Sequence, residues 1–471
     1  MAVGVLADVG GSAVKVTAAD LTSGEVLACT TARLDSHRPD AWTVEADPAR
    51  WMRCIATAID QAVTMVEQPI AALTVASLRQ GYILVDGDRE LTPLVLNSDR
   101  RGRHQLAYLS AQVGSDRLYD VTGHWLAPEL TLPKLLQTAA AQPEIWASTT
   151  AVLSLHDWLI WRLTGRTVAA RSIAGSSQLL QVVDGSWATG LLDEVGLGTN
   201  RLPDLVDAGT CVGTAAFATS HDVDIVVGGG DTHVASWGVD GDREGTVVVV
   251  AGSSTPLQAA VTRPPTDPLR HPWIGPHLLP GLWAAETNAG YPGAILEWLS
   301  TLTATPVAEL AARAQKSEPG ARGVTAPVGT LAWTQQSWAE RPANAVVGFG
   351  PTHALEDVAR AVIEGHAYSI RSNLTDLERA CGTSAGRIVL TGGAAHDPCF
   401  SQLVADVLNR PVVVPDTAGA AARAAVRLVG GTAPPVPTQT VQPEPRPQYE
   451  DGYGRFRTAC ELATRYPRDE A

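Results

Sequence analysis

The chain has 471 residues, 45% hydrophobic and 18% charged, with a formal net charge of -14. That length predicts two domains of about 200 residues, and the acidic balance with scattered Lys and Arg excludes a basic nucleic-acid face or an anionic-membrane surface. Six cysteines without any C-x-x-C pair argue against a zinc site or a disulfide framework.

Residues 3–9 and 13–19 read as two strands around Gly10-Gly11-Ser12. The chain enters the first strand with no basic flank or long apolar run, which predicts a cytoplasmic protein without a membrane span. A turn of this kind can aim backbone N–H groups and the Ser12 hydroxyl at an anion. Asp8 can hold a hydrated Mg²⁺, and Lys15 can reach phosphate oxygens. The same residues also suit an ordinary Gly-rich hairpin with Lys15 on a solvated edge.

A third strand over 25–31 is followed by a helix from Asp47-Pro48 to about residue 67, with Asp as cap and Pro in the first turn. The strand over 70–77 delivers Arg79-Gln80-Gly81-Tyr82 at its carboxyl end, the edge where open α/β sheets bind ligands. A strand over 91–96 delivers Asn97-Ser98-Asp99-Arg100-Arg101. These side chains suit a polyhydroxylated ligand. Arg79 and Asp99 read as functional, Arg100 and Arg101 as solvated loop charges.

Residues 120–202 read as mainly helical, clearest over 129–141 and 154–163, with a returning strand over 179–183. Trp146, Trp158 and Trp161 have the helical spacing of core residues. The apolar run 225–227 then meets Gly228-Gly229-Gly230-Asp231 at the start of a helix. Glycines let backbone and ligand approach closely, and the helix dipole favours an ionised Asp231, as a proton acceptor for a hydroxyl requires. Taken alone, an Asp after Gly is better read as an N-cap, and it is the company of Asp231 that shifts the reading.

The pattern restarts after residue 241. A β-rich run over 246–250 closes on Ala251-Gly252-Ser253-Ser254-Thr255, echoing the first hairpin and predicting a duplicated domain with a second phosphate loop across a cleft. Residues 264–280 read as irregular, 290–299 as a helix, 355–377 as a long helix, and 387–394 as a strand into Gly392-Gly393. A flat heterocycle could lie against those glycines. Helices follow over 401–408 and 417–428, then a Pro-rich linker over 433–446 and a last helix over 452–466.

Asp8-Val9-Gly10-Gly11-Ser12 with Lys15, Gly230-Asp231, Gly252-Ser253-Ser254, Gly392-Gly393-Ala394 with Gln402, and Gly419-Ala420-Ala421 stand in the order and spacing of the FGGY carbohydrate kinases, which the chain resembles over roughly residues 3–430. The resemblance implies an α/β fold of two actin-like ATPase (ribonuclease-H-like) domains flanking a central cleft. It divides the chain into 1–240, 241–432 and a C-terminal 433–471. It implies ATP and Mg²⁺ as cofactors and a small sugar or polyol as partner, and is compatible with a homodimer. By it Asp231 is the catalytic base and Asp8 the Mg²⁺-associated carboxylate. Gly10, Gly11, Ser12, Lys15, Gly252 and Ser253 hold phosphates, and Gly293, Glu297, Gly393 and Asp397 contact adenosine. Arg79, Gln80, Asn97, Asp99 and Glu129 line the sugar pocket. This chain departs from the family in having Gly11 where Thr is usual, which also admits a catalytically impaired sensor. An actin-like ATPase acting on a protein shares the fold. Arg79-Gln80 and Asn97 are unlike glycerol kinases, and Gly81-Tyr82 unlike the Met-His of xylulokinases. The stretch is nearer the branch handling erythritol, other pentuloses or the autoinducer signal.

Overall fold

The structure, a computed structural model, describes residues 2–219, 221–340, 344–444 and 446–465. Two mixed sheets organise it. The first contains β1 (Val3–Val9), β2 (Ala13–Asp20), β3 (Val26–Arg33), β4 (Ile70–Ser77), β5 (Cys211–Ala215) and β6 (Val223–Gly230), in the order β5-β6-β4-β1-β2-β3. The second contains β7 (Thr246–Val250), β8 (Pro256–Val261), β9 (Trp273–Pro276), β10 (Trp283–Asn288), β11 (Arg387–Thr391), β12 (Val412–Pro415) and β13 (Thr438–Val441), in the order β9-β10-β8-β7-β11-β12-β13.

The two sheets share one plan. In each, an antiparallel hairpin (β1/β2, β7/β8) extends to a third antiparallel strand, and the hairpin's first strand pairs in parallel with a later strand. A further parallel strand and an antiparallel edge complete each sheet. The restarted sequence pattern therefore corresponds to a repeated topology. Both hairpin turns lie at strand ends, where side chains need not serve the core.

Helices α1 (Pro48–Thr64), α2 (Leu155–Thr164), α3 (Asp231–Gly238), α4 (Pro292–Thr303), α5 (Leu355–Cys381), α6 (Pro398–Leu408), α7 (Thr417–Leu428) and α8 (Pro447–Ala463) cover the sheets. The α1 helix starts as its sequence dictates, the Asp47 carboxylate accepting the Arg50 N–H with Pro48 in the first turn. Its Trp51, Ile55, Ile59 and Val63 enter a core with Val5, Val16 and Leu73 of the first sheet. Trp158 is fully buried and Trp161 nearly so. Trp146 is half-buried and carries the Arg201 guanidinium on its ring.

Three local expectations differ. Residues 179–183 form no strand, only an isolated bridge between Leu180 and Trp187. The Pro-rich stretch 264–280 contains β9, and the linker expected over 433–446 contains β13, which pairs with β12 as a sheet edge. Prolines are tolerated at such edges because one side of the strand needs no donor. The last helix begins at Pro447, and Tyr466, its expected end, lies outside the described residues.

The α7 helix does not stay with its own sheet. It packs on α3 and onto β1 and β2, so the two bodies meet across the α3/α7 crossing. Arg423 pairs with Asp240 at 2.7 Å and Arg427 with Asp242 at 2.9 Å, where the chain passes between the bodies.

Candidate active site

Asp231 is the first residue of α3, following Gly230 in extended geometry. Its carboxylate accepts the Thr232 N–H at 2.7 Å. A Cβ on Gly230 would stand 2.8 Å from Arg79 Cδ, so the glycine is what lets the Arg79 chain lie across the strand end. The Arg79 guanidinium meets Glu286 Oε1 at 2.8 Å, with the two side chains only 12% and 5% exposed. Arg79 follows β4 of the first sheet and Glu286 lies on β10 of the second, so this ion pair closes the bodies on one another beside Asp231.

Burial pushes the Asp231 carboxyl above its ordinary value, while Arg79 and the Thr232 N–H pull it down. Asp8 is pushed from 3.8 to about 7, by burial first and then by the Asp231 charge, against the opposing pull of Lys15. A folded-state pKa raised in this way favours the fold while Asp8 is protonated, and the contribution is lost as pH rises through about 7. Mg²⁺ is therefore expected to raise Tm more at pH 8 than at pH 5, and Asp8→Asn to abolish the difference. Thermal unfolding with and without Mg²⁺ checks this.

A cavity of about 520 Å³ opens in front of Asp231, lined by Arg79, Gln80, Asn97, Glu129 and Asp231 from the first body and by Ser254, Glu286, Asn288 and Tyr291 from the second. Asp99, expected among them, lies outside this lining. It is fully buried, its Oδ2 accepts the Val44 N–H at 2.8 Å, and both oxygens accept from the Arg101 guanidinium at 2.9 Å. Its acceptor capacity is used within the protein. Arg100 and Arg101 also differ from expectation. Arg100 lines the cavity and pairs with Glu129 at 3.0 Å, while Arg101 is held between Asp99 and Glu45.

The roof is aromatic. Trp273 and Trp333 stand 4.2 Å apart between ring centroids, Trp338 lies within 6.4 Å of both, and the Trp338 Nε1–H donates to Glu129 Oε2 at 2.8 Å. Sequence reasoning missed this roof together with Glu286 and Asn288. A signal was present for Glu286, a carboxylate amid the small apolar residues of a strand, which requires a buried partner.

The two hairpin turns flank the cavity. Gly10 N–H donates to Ala13 O at 2.9 Å, Lys15 stands opposite Asp8 in the β1/β2 register, and a Cβ on Gly11 would stand 4.0 Å from Asn97 Oδ1. In the second turn, Ala251 N–H donates to Thr391 O and Ala394 N–H to Ala251 O, and Ser253 Oγ meets Glu297 Oε1 at 3.4 Å. A Cβ on Gly293 would penetrate the Gly252 carbonyl oxygen. The structure thus brings Gly252, Ser253, Gly293, Glu297 and Gly393 around one turn, with Gly393 bare of neighbours within 4 Å of where a Cβ would be. Asp397 caps α6 by accepting the Cys399 N–H at 2.9 Å and faces a separate cavity of about 340 Å³ shared with Arg360 and Glu364. Gly293→Ala is expected to push the second turn out of place and raise KM for ATP at least tenfold (~1.4 kcal/mol or more) with KM for the acceptor unchanged, which steady-state kinetics reads directly.

Two α/β bodies of one topology, with an acid group and two small-residue turns at their junction, have the architecture of the two-domain actin-like ATPase fold. Residues 2–238 match the FGGY family of carbohydrate kinases, N-terminal domain, and residues 246–428 match its C-terminal domain. The chain belongs to this family and is a carbohydrate kinase. It is 29% identical to the xylulose kinase of Escherichia coli (strain K12) over 416 residues, 85% of this chain and 84% of that protein. It is 26% identical to the autoinducer-2 kinase of Salmonella typhimurium over 385 residues, 77% and 72% of the two chains. The crystal structure of a xyloylose kinase from Brucella ovis superposes with a TM-score of 0.87 at 25% identity, over 98% of this chain and 99% of that one. Among the described residues no helix is long and apolar enough to cross a membrane.

Proposed function

We propose that the chain transfers the γ-phosphoryl group of ATP to a hydroxyl of a small linear sugar or polyol of pentulose or tetritol size, with Asp231 as general base. The observation that carries this reading is the single cavity in which Asp231 sits between Arg79, Gln80 and Asn97 on one side and Ser254 of the second turn on the other. The polar wall suits several hydroxyls, and the aromatic roof suits the C–H face of a carbon chain. Asp231 takes the proton of the attacking hydroxyl. Arg79 draws the pKa of that carboxylate back down against the larger effect of burial, while Lys15 and the backbone donors of the two turns offset charge on the phosphoryl oxygens.

Asp8, near the end of β1 and opposite Lys15, fits a hydrated Mg²⁺, since Mg²⁺ takes one or two carboxylates alongside phosphate oxygens and water. Bound there, the ion would neutralise charge on the phosphates. The ion pair between Arg79 and Glu286 and the hydrogen bond from Trp338 to Glu129 would exclude water that competes with the sugar. Relatives named as xylulose kinase and autoinducer-2 kinase set the panel. ADP release is measured with D-xylulose, other ketoses, erythritol and autoinducer-2 as acceptors. Acceptor-dependent release in the wild type is expected. ADP release indifferent to every acceptor would overturn the proposal.

A further inference from the structure

Just before Asp231 the chain leaves the regular ladder. Along β6 and β4, Val226 pairs with Thr74 and then Gly229 with Ala76, so three steps on one strand match two on the other. The surplus residue makes a bulge, a device that re-aims whatever follows. Val227 directs its N–H to Thr210 O at 2.9 Å and accepts the Gly209 N–H at 2.8 Å. The Gly228 N–H goes instead to a side chain, His156 Nε2, at 3.2 Å.

His156 is fully buried in the first turn of α2. To accept from Gly228, Nε2 must be the bare nitrogen, so the ring proton lies on Nδ1, which stands 3.0 Å from Asp157 Oδ1. Asp157 is itself fixed. Its Oδ1 also accepts the Ala170 N–H at 2.9 Å, and its Oδ2 accepts from Ser154 Oγ at 2.7 Å. Both ring nitrogens are thus engaged, one by the bulge and the other by a carboxylate that sets the tautomer. A leucine would fill the same space but could not accept from the bulge.

We infer that His156 is a positioning residue for phosphoryl transfer: its ring, oriented by Asp157, holds the β6 bulge at Gly228 and so fixes where Asp231, three residues on, presents its carboxylate. The inference rests on the reading of Asp231 as base. It extends that reading to a pair of side chains that touch neither cavity nor turns.

The test uses the full-length protein, labelled with ¹⁵N-histidine, and three variants. Two-bond ¹H–¹⁵N spectra, with His156 assigned by its loss in His156→Gln, are expected to show the Nδ1-protonated neutral ring. An Nε2-protonated ring overturns the inference, with or without a known acceptor. In kinetics with D-xylulose, or the panel acceptor of highest turnover, His156→Leu is expected to lower kcat by about 10²-fold, as misplacement of a reacting group by ~1 Å does, with both KM values unchanged. His156→Gln, whose amide oxygen can accept from Gly228, restores most of that loss. Equal kcat losses in the two variants, or a loss carried in KM, overturn the inference. Asp231→Asn separates the two claims. If it stays active, the base assignment falls. If it is inactive while His156→Leu keeps wild-type kcat, only the positioning role falls.

Discussion

Asp231→Asn is expected to lose about 10²- to 10⁴-fold in kcat, the range that a positioned general base supplies, with KM for ATP and acceptor little changed. The amide is nearly the same size and can still accept the Thr232 N–H, so the helix start survives while the proton acceptor does not. The variant is also expected to melt higher than the wild type above pH 7. It removes a carboxylate whose burial opposes ionisation and whose charge raises Asp8. Purified variant and wild type, compared in ADP release and in thermal unfolding, give both answers. Wild-type turnover by the variant would remove Asp231 from the chemistry.

The second large effect is at the ion pair between the bodies. Arg79→Met leaves Glu286, 5% exposed, without its partner, and stranding one member of a buried pair costs about 3–5 kcal/mol. The midpoint of urea unfolding should fall accordingly, and Glu286→Leu added to Arg79→Met should recover much of that stability. Catalysis should not recover with it. Arg79 holds the Asp231 pKa down, so its loss raises that pKa, less Asp231 is ionised at a given pH, and the acid limb of the pH–rate profile moves to higher pH. A double variant with both stability and an unshifted profile would show that Arg79 serves only to join the bodies.

The turns around Gly10-Gly11-Ser12 and Gly252-Ser253 and the junction at Gly230-Asp231 were legible because each is local. A strand, small residues and a polar group within ten positions leave few conformations, and a second copy of the pattern marked the repeat. The same local logic misled at residues 97–101. Asn97 and Ser98 form a turn and line the cavity with Arg100, while Asp99 between them faces inward to Arg101 and Val44. Sequence spacing contains no sign of which neighbour faces which way. The stretch 433–446 failed for a related reason, since its prolines suit a linker and a sheet edge equally, and only the presence of β12 decides between them.

By itself the sequence determined the strand–turn units, the duplicated order and the one acid group at a strand-to-helix junction, because hydrophobic periodicity and glycine placement act over a few residues. Tertiary structure alone decided that Glu286 answers Arg79 across 207 positions, that Trp338 reaches Glu129 across 209, and that His156 reaches the bulge at Gly228 across 72. Those partners are selected by burial. A charge or an unpaired N–H removed from water must find its complement wherever folding brings one near, and nothing within a single strand or helix specifies where that will be.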